Sequence, residues 1–329
     1  MTRILGVLGL LVVLYSALIA SDPNAGRPDN LTSVANLQGR YGVVTLGAAL
    51  VIIVGGIDLS VGAVVGCAAV LFGVLMHDGV HPYVAVPLVV LFGGMIGLTN
   101  GLLITRLKLQ PFLVTLCGMF IFRGIARLIA QPVRGTVGIT SVIEAQREFN
   151  DPLRTLRYLL IGKAPSDGEL LFPAQFILLL ILAAVVGFFL HRTAYGRYWY
   201  AIGHSELAAK YAGVNVNRQR VSIYVVCSAL AGFGGILLFL DAPSVQSDNA
   251  GNAYELYAIL GAVLGGCSLR GGEGTAVGMV LGAMVLPLLE NLVTFQGAKN
   301  DVIPVVIGMT LLFGAIVDEL IRQRSRVHR

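Results

Sequence analysis

Long apolar runs separated by short polar stretches dominate this sequence. A helix that crosses the hydrocarbon core of a bilayer needs about 20 mostly apolar residues. The pattern therefore predicts a chain that crosses a membrane many times. The clear runs are Ile4–Ala20, Tyr83–Ile104, Phe112–Ala130, Phe172–Leu190, Val221–Leu240, Thr275–Phe295 and Ile303–Leu320.

Two further apolar stretches are interrupted. Val43–Met76 is too long for one helix and is broken at Gly55–Ser60, so we expect two short helices that meet at the break. Tyr254–Ser268 is short and ends in a glycine cluster, and we count it as a tenth segment. The prediction is an all-α polytopic membrane protein, a single domain over residues 1–329 with about ten transmembrane helices.

The composition agrees with this class of protein. Hydrophobic residues make up 56% of the chain and charged residues 12%, where soluble proteins carry about 25%. The net charge of +5 is explained by basic membrane loops and does not require a nucleic-acid partner. The cysteines lie in apolar stretches without a close pair, so we expect no disulfide framework, metal or cofactor.

Basic residues indicate the orientation. They concentrate in Arg192–Arg220 and in the tail Arg322–Arg329. Because Lys and Arg are enriched in cytoplasmic loops, we expect 191–220 to be a cytoplasmic loop and both termini to be cytoplasmic. The connection 131–171 is then a periplasmic loop, in which Val142–Tyr158 is either a short amphipathic helix or part of a solvated spacer.

The first apolar run could instead be a secretory signal, since Arg3 precedes it. The residues after it lack the small-x-small pattern of a cleavage site. We therefore expect a retained helix.

Catalytic chemistry is not indicated. The sequence has no His-Glu-x-x-His or Gly-x-Ser-x-Gly motif, and Gly162-Lys163 is followed by Ala164 without the earlier glycine of a phosphate-binding loop. We therefore predict that this chain is not an enzyme. If it belongs to a transporter powered by ATP, the hydrolytic site lies on another chain.

Polar residues within apolar segments are functional candidates, because a charge at bilayer depth must face protein or water. Asp58 is expected to cap the helix that follows it. Arg123 and Arg127 lie one turn apart and either snorkel to the headgroups or line the pathway and brace the outer loop. Glu290 and Asn291 either line the pathway or hydrogen-bond between helices. The pathway candidates are Asn100, Thr115, Arg123, Arg127, Glu290 and Asn291, and Glu255 is a further intramembrane polar residue.

Two glycine clusters recur in similar surroundings. Each follows an apolar run, precedes another, and has a Gly-Gly pair with Leu three residues later. They indicate close helix packing or tight turns, and their similarity hints at an internal duplication. Their members are Gly55, Gly56, Asp58, Ser60 and Gly62 in the first cluster, and Gly265, Gly266, Gly271, Gly272 and Gly274 in the second.

The loop 191–220 contains a predicted short helix. Ser205 is a good N-cap, Glu206–Ala212 favours helix, and Gly213 is the residue expected past a helix end. The small residues Ala208, Ala209 and Ala212 would give this helix a compact surface for another protein.

Taken together, these motifs resemble the permease subunits of bacterial monosaccharide ATP-binding-cassette importers of the ribose, xylose and galactose type. The resemblance covers about residues 40–320 and is most specific at Asp58. It rests on the sequence Gly-Gly-Ile-Asp-Leu-Ser-Val-Gly at 55–62, Asn100-Gly101, Pro111-Phe112 through Thr115-Leu116 to Arg123-Gly124, Tyr200 to Gly203, Glu206, Ala208-Ala209, Gly213 and the cluster 265–274.

The resemblance implies a complex in the bacterial cytoplasmic membrane. Its partners would be a second permease subunit, cytoplasmic ATPase subunits and a periplasmic sugar-binding protein. The helix around Glu206 would be the coupling helix that docks on the ATPase, although Leu207 departs from the consecutive Glu-Ala-Ala of the broader importer motif. The implied coupling residues are Gly203, Ser205, Glu206, Ala208, Ala209, Ala212 and Gly213.

Other functions stay open at this point. The same class of importer could carry another small polar solute, such as a nucleoside, an amino acid or a signalling furanose. An ion-coupled secondary transporter is disfavoured, because adjoining helices carry no paired carboxylates and because the coupling loop is present.

Overall fold

The computed structural model describes residues 2–133, 135–138, 142, 150–164, 169–242, 244–296, 305, 308–309 and 312. Its helices are α1 (Thr2–Ser21), α2 (Pro28–Ile53), α3 (Val61–His77), α4 (Pro82–Arg106), α5 (Pro111–Ile129), α6 (Asn150–Ile161), α7 (Ala174–Arg192), α8 (Ala194–His204), α9 (Glu206–Tyr211), α10 (Val216–Asp241), α11 (Tyr254–Leu264) and α12 (Ala276–Phe295). The short strands β1 (Thr136–Gly138) and β2 (Ser244–Gln246) pair antiparallel, with Val137 opposite Val245.

Within these described ranges, 7 helices are long and apolar enough to cross a membrane, namely α1, α2, α4, α5, α7, α10 and α12. The helices α3 and α11 are apolar but shorter. The prediction of an all-α polytopic membrane protein is therefore confirmed. The predicted segment Ile303–Leu320 lies almost entirely outside the described residues.

One predicted boundary is wrong. Val43–Met76 is broken where we expected, but its first helix is not short, because α2 begins at Pro28 and has 26 residues. The polar residues Asn36, Gln38 and Arg40 lower the hydropathy of this stretch, yet each is buried. Asn36 donates to the Ile161 carbonyl at 2.8 Å, Gln38 to the Met284 carbonyl at 3.3 Å and Arg40 to Asp241 at 2.9 Å, so each has a partner in a distant part of the chain.

The core is built on close contact between α4 and α10. A Cβ atom on Gly93, Gly97 or Gly101, which lie one turn apart on α4, would overlap the α10 backbone. Small residues at this spacing let two membrane helices approach until their backbones touch. Sequence reasoning missed this stripe. The α10 residues that it meets are Val221, Tyr224 and Ser228.

The described helices have two opposite ends. Since α7 leads from α6 to α8 and α10 returns to β2, α6, β1 and β2 lie at one end (the sheet end), and α8 and α9 lie at the other (the α9 end). The expected outer helix corresponds to α6, where Leu153 and Leu156 are buried and Arg154 is exposed. Val142 is helical and buried, and residues 143–149 lie outside the described part of the chain.

Candidate functional site

The break between α2 and α3 is held by a chain of buried polar groups. The Asp58 Oδ1 atom accepts hydrogen bonds from the Ser60 backbone N–H at 2.8 Å and from the Ser60 hydroxyl at 2.6 Å. The Asn100 side chain of α4 donates to the Ser60 Oγ at 3.1 Å. The expectation that Asp58 caps α3 is wrong, because the N-cap residue is Ser60 and, among the described residues, no side chain caps this helix. Asp58 instead orients Ser60.

Two more helices contact the same break. The Thr115 hydroxyl of α5 lies 3.3 Å from the Ile57 carbonyl and 3.0 Å from the Pro111 carbonyl of its own helix. The Cys227 Sγ of α10 lies 4.0 Å from the Asp58 Oδ2. Asn100 and Thr115 are 2% and 0% exposed, so both predicted pathway residues lie within the packing around Asp58. This cluster joins α4, α5 and α10 to the irregular segment.

The two glycine clusters meet each other at the end of α8. The Gly272 N–H donates to the Ile53 carbonyl at 2.8 Å, at the end of α2. A Cβ atom on Gly203 would overlap both this carbonyl and the Gly272 nitrogen. The Tyr200 hydroxyl donates to the Gly274 carbonyl at 2.7 Å, and burial raises the pKa of Tyr200 to about 12, so the donor stays protonated at neutral pH.

Other members of these clusters serve turns or close packing. A side chain on Gly56 would overlap the Tyr224 hydroxyl, one on Gly62 would overlap the Glu255 carboxylate, and one on Gly265 would overlap the α12 backbone at Gly278. The left-handed region of backbone conformation, which favours glycine, is occupied at Gly55, Gly266, Gly271, Gly272 and Gly274.

The short helix α9 has the local structure that its sequence predicts. The Ser205 Oγ accepts from the Ala208 N–H at 3.2 Å, and Gly213 follows the helix with φ +82°. The Glu206 carboxylate accepts two hydrogen bonds from the Arg220 guanidinium, at 3.1 and 2.6 Å, which ties α9 to the start of α10.

The exposed face of α9 differs from the predicted one. Ala209 is 3% exposed and packs inward, whereas Ala208 and Ala212 are exposed as expected. The large apolar residues on the free surface are Leu207, 62% exposed, and Tyr211, 84% exposed, which lie one turn apart. A short helix turns only some of its residues outward, and composition alone did not identify which ones.

Arg123 and Arg127 both bind the segment that precedes α11. The Arg123 Nη2 lies 3.3 Å from the Glu255 Oε1 and 3.3 Å from the Asn252 Oδ1. The Arg127 Nε lies 2.8 Å from the Asp248 Oδ1, with both side chains exposed. Each arginine thus has an acidic partner: Glu255 in the first turn of α11 for Arg123, and Asp248 in the connection from β2 to α11 for Arg127.

Glu290 and Asn291 join helices, in agreement with the interhelical alternative. The Tyr257 hydroxyl of α11 donates to the Glu290 carboxylate of α12. Asn291 and Asn30 of α2 exchange side-chain hydrogen bonds of 3.2 and 3.0 Å. Both residues contribute to packing in this structure.

A charged cluster at the sheet end was not predicted. Asp241 accepts from Arg40 at 2.9 Å and from Lys163 at 2.9 Å. Arg157 donates to the adjacent Leu240 carbonyl at 2.8 Å, and burial lowers its pKa. Sequence reasoning placed Arg40 and Lys163 outside the apolar runs, and the only sequence signal was the charge of Asp241 directly after the run that ends at Leu240.

No group of three or more His, Cys, Asp or Glu residues is placed to hold a metal ion in the part of the chain that the structure describes. The described site is therefore a set of helix breaks, polar clusters and one exposed short helix. Such features serve conformational change and solute passage in membrane proteins.

Comparison with known proteins identifies the family. The family model described as the branched-chain amino acid transport system / permease component matches residues 30–315. The ribose import permease protein RbsC of Bacillus subtilis is 32% identical over 94% of this chain and 89% of its own length. RbsC of Escherichia coli K12 is 30% identical over 94% of this chain and 91% of its own length.

A third relative, the fructose import permease protein FrcC of Rhizobium meliloti, is 32% identical over 86% of this chain and 75% of its own length. No solved structure matches the chain. The family match covers most of the chain, and it includes both helix breaks, α9 and the α4–α10 contact. The chain therefore belongs to this family of transport-system permease components, as a multi-pass membrane subunit.

Proposed function

We propose that this chain forms the membrane pathway of an ATP-driven importer for a monosaccharide in the bacterial cytoplasmic membrane. The relatives are named as import permeases for ribose and fructose, and these names support this solute class. The family match over residues 30–315 is the observation that carries the proposal. Cytoplasmic ATPase subunits, a second permease subunit and a periplasmic sugar-binding protein complete the transporter.

In this proposal the α9 end faces the cytoplasm, with residues 191–220 as the coupling loop and both termini on the same side. The sheet end, with residues 131–171, faces the periplasm. The basic residues of the α9 end support this orientation, since Lys and Arg are enriched in cytoplasmic loops.

The α9 helix is the point at which a cytoplasmic ATPase docks. Leu207 and Tyr211 form an exposed apolar pair on α9. Ser205 caps the start of this helix, and the Glu206–Arg220 ion pair holds the helix against the start of α10. Exposed large apolar side chains at a helix spacing are typical of a surface that a partner covers. Closure of the ATPases on ATP would then move α9 as a rigid unit.

A charged residue in this apolar pair tests the docking surface. We expect Leu207→Asp to reduce recovery of the ATPase on co-purification from membranes at least about tenfold, since a carboxylate would be desolvated in the interface. Leu171→Asp is the control, because Leu171 is 57% exposed at the opposite end of the molecule. Full recovery of the ATPase with Leu207→Asp, at normal expression, would overturn the docking assignment.

The solute class is tested with the complete transporter in liposomes that contain ATP. We expect ATP-dependent uptake of ribose or fructose when the binding protein is present, and no uptake driven by a proton or sodium gradient alone. Uptake restricted to amino acids or nucleosides would show that the solute is another small polar molecule and not a monosaccharide. Gradient-driven uptake without ATP would favour a secondary transporter.

A further inference from the structure

The segment between β2 and α11 descends to the middle of the membrane-spanning helices. A Cβ atom on Gly251 would overlap the backbone of Gly62, at the start of α3. Asp58, just before α3, lies 4.0 Å from Cys227 of α10. Cys227 is near the middle of α10, because at 1.5 Å per residue it lies about 17 Å from Val216 and about 21 Å from Asp241.

This segment is irregular and partly exposed. Residues 247–253 form turns, and Asp248, Asn249 and Asn252 are exposed. Irregular backbone at membrane depth is tolerated only where protein buries it or where it lines a water-filled cavity. The break at Asp58 is the buried case. The exposed polar side chains of 247–253 favour the second case, a wall that faces water.

A partly unsatisfied polar group lies beside this segment, in the first turn of α11. The Glu255 side chain is 10% exposed, and its Oε2 has no hydrogen-bond partner among the described residues. Its Oε1 shares a single nitrogen of Arg123 with Asn252, at 3.3 Å in both contacts. The Oε2 atom is enclosed beside Gly62, whereas the Arg123 side chain is 31% exposed and Asn252 is exposed, so this group of side chains has capacity for a further hydrogen-bond partner.

We propose that Glu255, Arg123 and Asn252 form a binding position for the hydroxyl groups of a neutral sugar at the middle of the pathway. This proposal rests on the proposed function. A carboxylate accepts from hydroxyls, a guanidinium donates to them, and an asparagine amide does both. The positive charge of Arg123 is balanced by Glu255, and that of Arg127 by Asp248, which favours a neutral solute over an ionic one.

Thiol labelling tests the aqueous wall without regard to the solute. In a Cys117→Ala background, which removes an exposed native cysteine, we expect Asn252→Cys to react with a membrane-impermeant thiol reagent in at least one nucleotide state. Ile181→Cys, at a position 55% exposed on α7, is the lipid-facing control and should not react. If Asn252→Cys is unreactive in every nucleotide state, the wall assignment is overturned.

Solute selectivity tests the contact with sugar. We expect Glu255→Gln to change the ratio of ribose to arabinose uptake by about fivefold, the effect of one altered hydrogen bond. Glu290→Gln is the matched control, because that carboxylate binds Tyr257 between helices, and its ratio should equal that of the wild type.

An unchanged ratio of ribose to arabinose uptake in a well-folded Glu255→Gln complex would overturn the proposed contact between Glu255 and sugar. An equal change in Glu290→Gln would overturn it as well. If the wild-type transporter moves no monosaccharide, including fructose, the proposed solute class fails. Protection of Asn252→Cys by whichever solute is transported then decides whether this position binds it.

Discussion

The Asp58 side chain decides where irregular backbone ends and α3 begins. It is 2% exposed and holds both the backbone and the hydroxyl of Ser60, while Asn100 holds that hydroxyl from α4. Hydrogen bonds to a buried carboxylate are stronger than those between neutral groups. This one residue therefore connects the break to its neighbouring helix.

Two replacements of Asp58 distinguish the contribution of its hydrogen bonds to stability from that of its charge. Asp58→Ala leaves the Ser60 N–H without its acceptor, and we expect the free energy of unfolding to fall by about 2–3 kcal/mol. Asp58→Asn keeps an acceptor and should cost less. Unfolding in detergent micelles measures both changes, with Asp78→Ala as an exposed control at the end of α3. An equal loss for Asp58→Ala and Asp78→Ala would contradict this role.

At the scale of elements, the contact between α4 and α10 depends on which glycines face the partner. A Cβ atom at Gly97 would overlap the Tyr224 carbonyl, whereas one at Gly94 would make an ordinary contact of 3.8 Å with Val225. Neighbouring glycines on one helix therefore have different structural roles. Gly97 allows backbone contact, and Gly94 only adds flexibility.

The two glycines provide a matched pair of variants. We expect Gly97→Ala to lower the free energy of unfolding by about 1–3 kcal/mol, because α4 and α10 must move apart. Gly94→Ala should be neutral or stabilise by up to about 1 kcal/mol, since alanine favours helix. Thermal unfolding in the same detergent compares them. A greater loss for Gly94→Ala would show that the packing face is assigned wrongly.

At the scale of the whole molecule, a charged cluster closes the sheet end. Asp241 pairs with Arg40 of α2 and with Lys163 after α6, so it joins three distant parts of the chain. Loss of one partner from a buried ion pair leaves a desolvated charge behind. The Arg40 side chain is 11% exposed, so it depends strongly on its partner.

We expect Asp241→Asn to lower the free energy of unfolding by about 2–4 kcal/mol. Asp248→Asn breaks the Arg127 pair, whose side chains are 62% and 71% exposed, and should cost less than about 1 kcal/mol because solvent screens that pair. Denaturant titration of the detergent-solubilised protein compares the two. Equal losses would mean that burial of the Asp241 cluster contributes little to stability.

Much of the helical layout was predictable because it depends on local signals. Apolar length located the membrane helices, and glycine with Asp58 located the break after α2. Ser205 and Gly213 marked the ends of α9. The start of α2 was not predictable from hydropathy, because Asn36, Gln38 and Arg40 lie within the helix and have their partners in distant parts of the chain.

The sequence by itself determined that this chain is a bundle of membrane helices with two glycine-rich breaks and a short capped helix in a basic loop. Only the tertiary structure decided that the two glycine clusters meet at Gly203, that Leu207 rather than Ala209 faces outward, and that Glu255 pairs with Arg123. Hydropathy and capping act over a few residues, so the sequence displays them directly. Backbone approach and burial arise between segments far apart in the chain, and they exist only once the helices have packed.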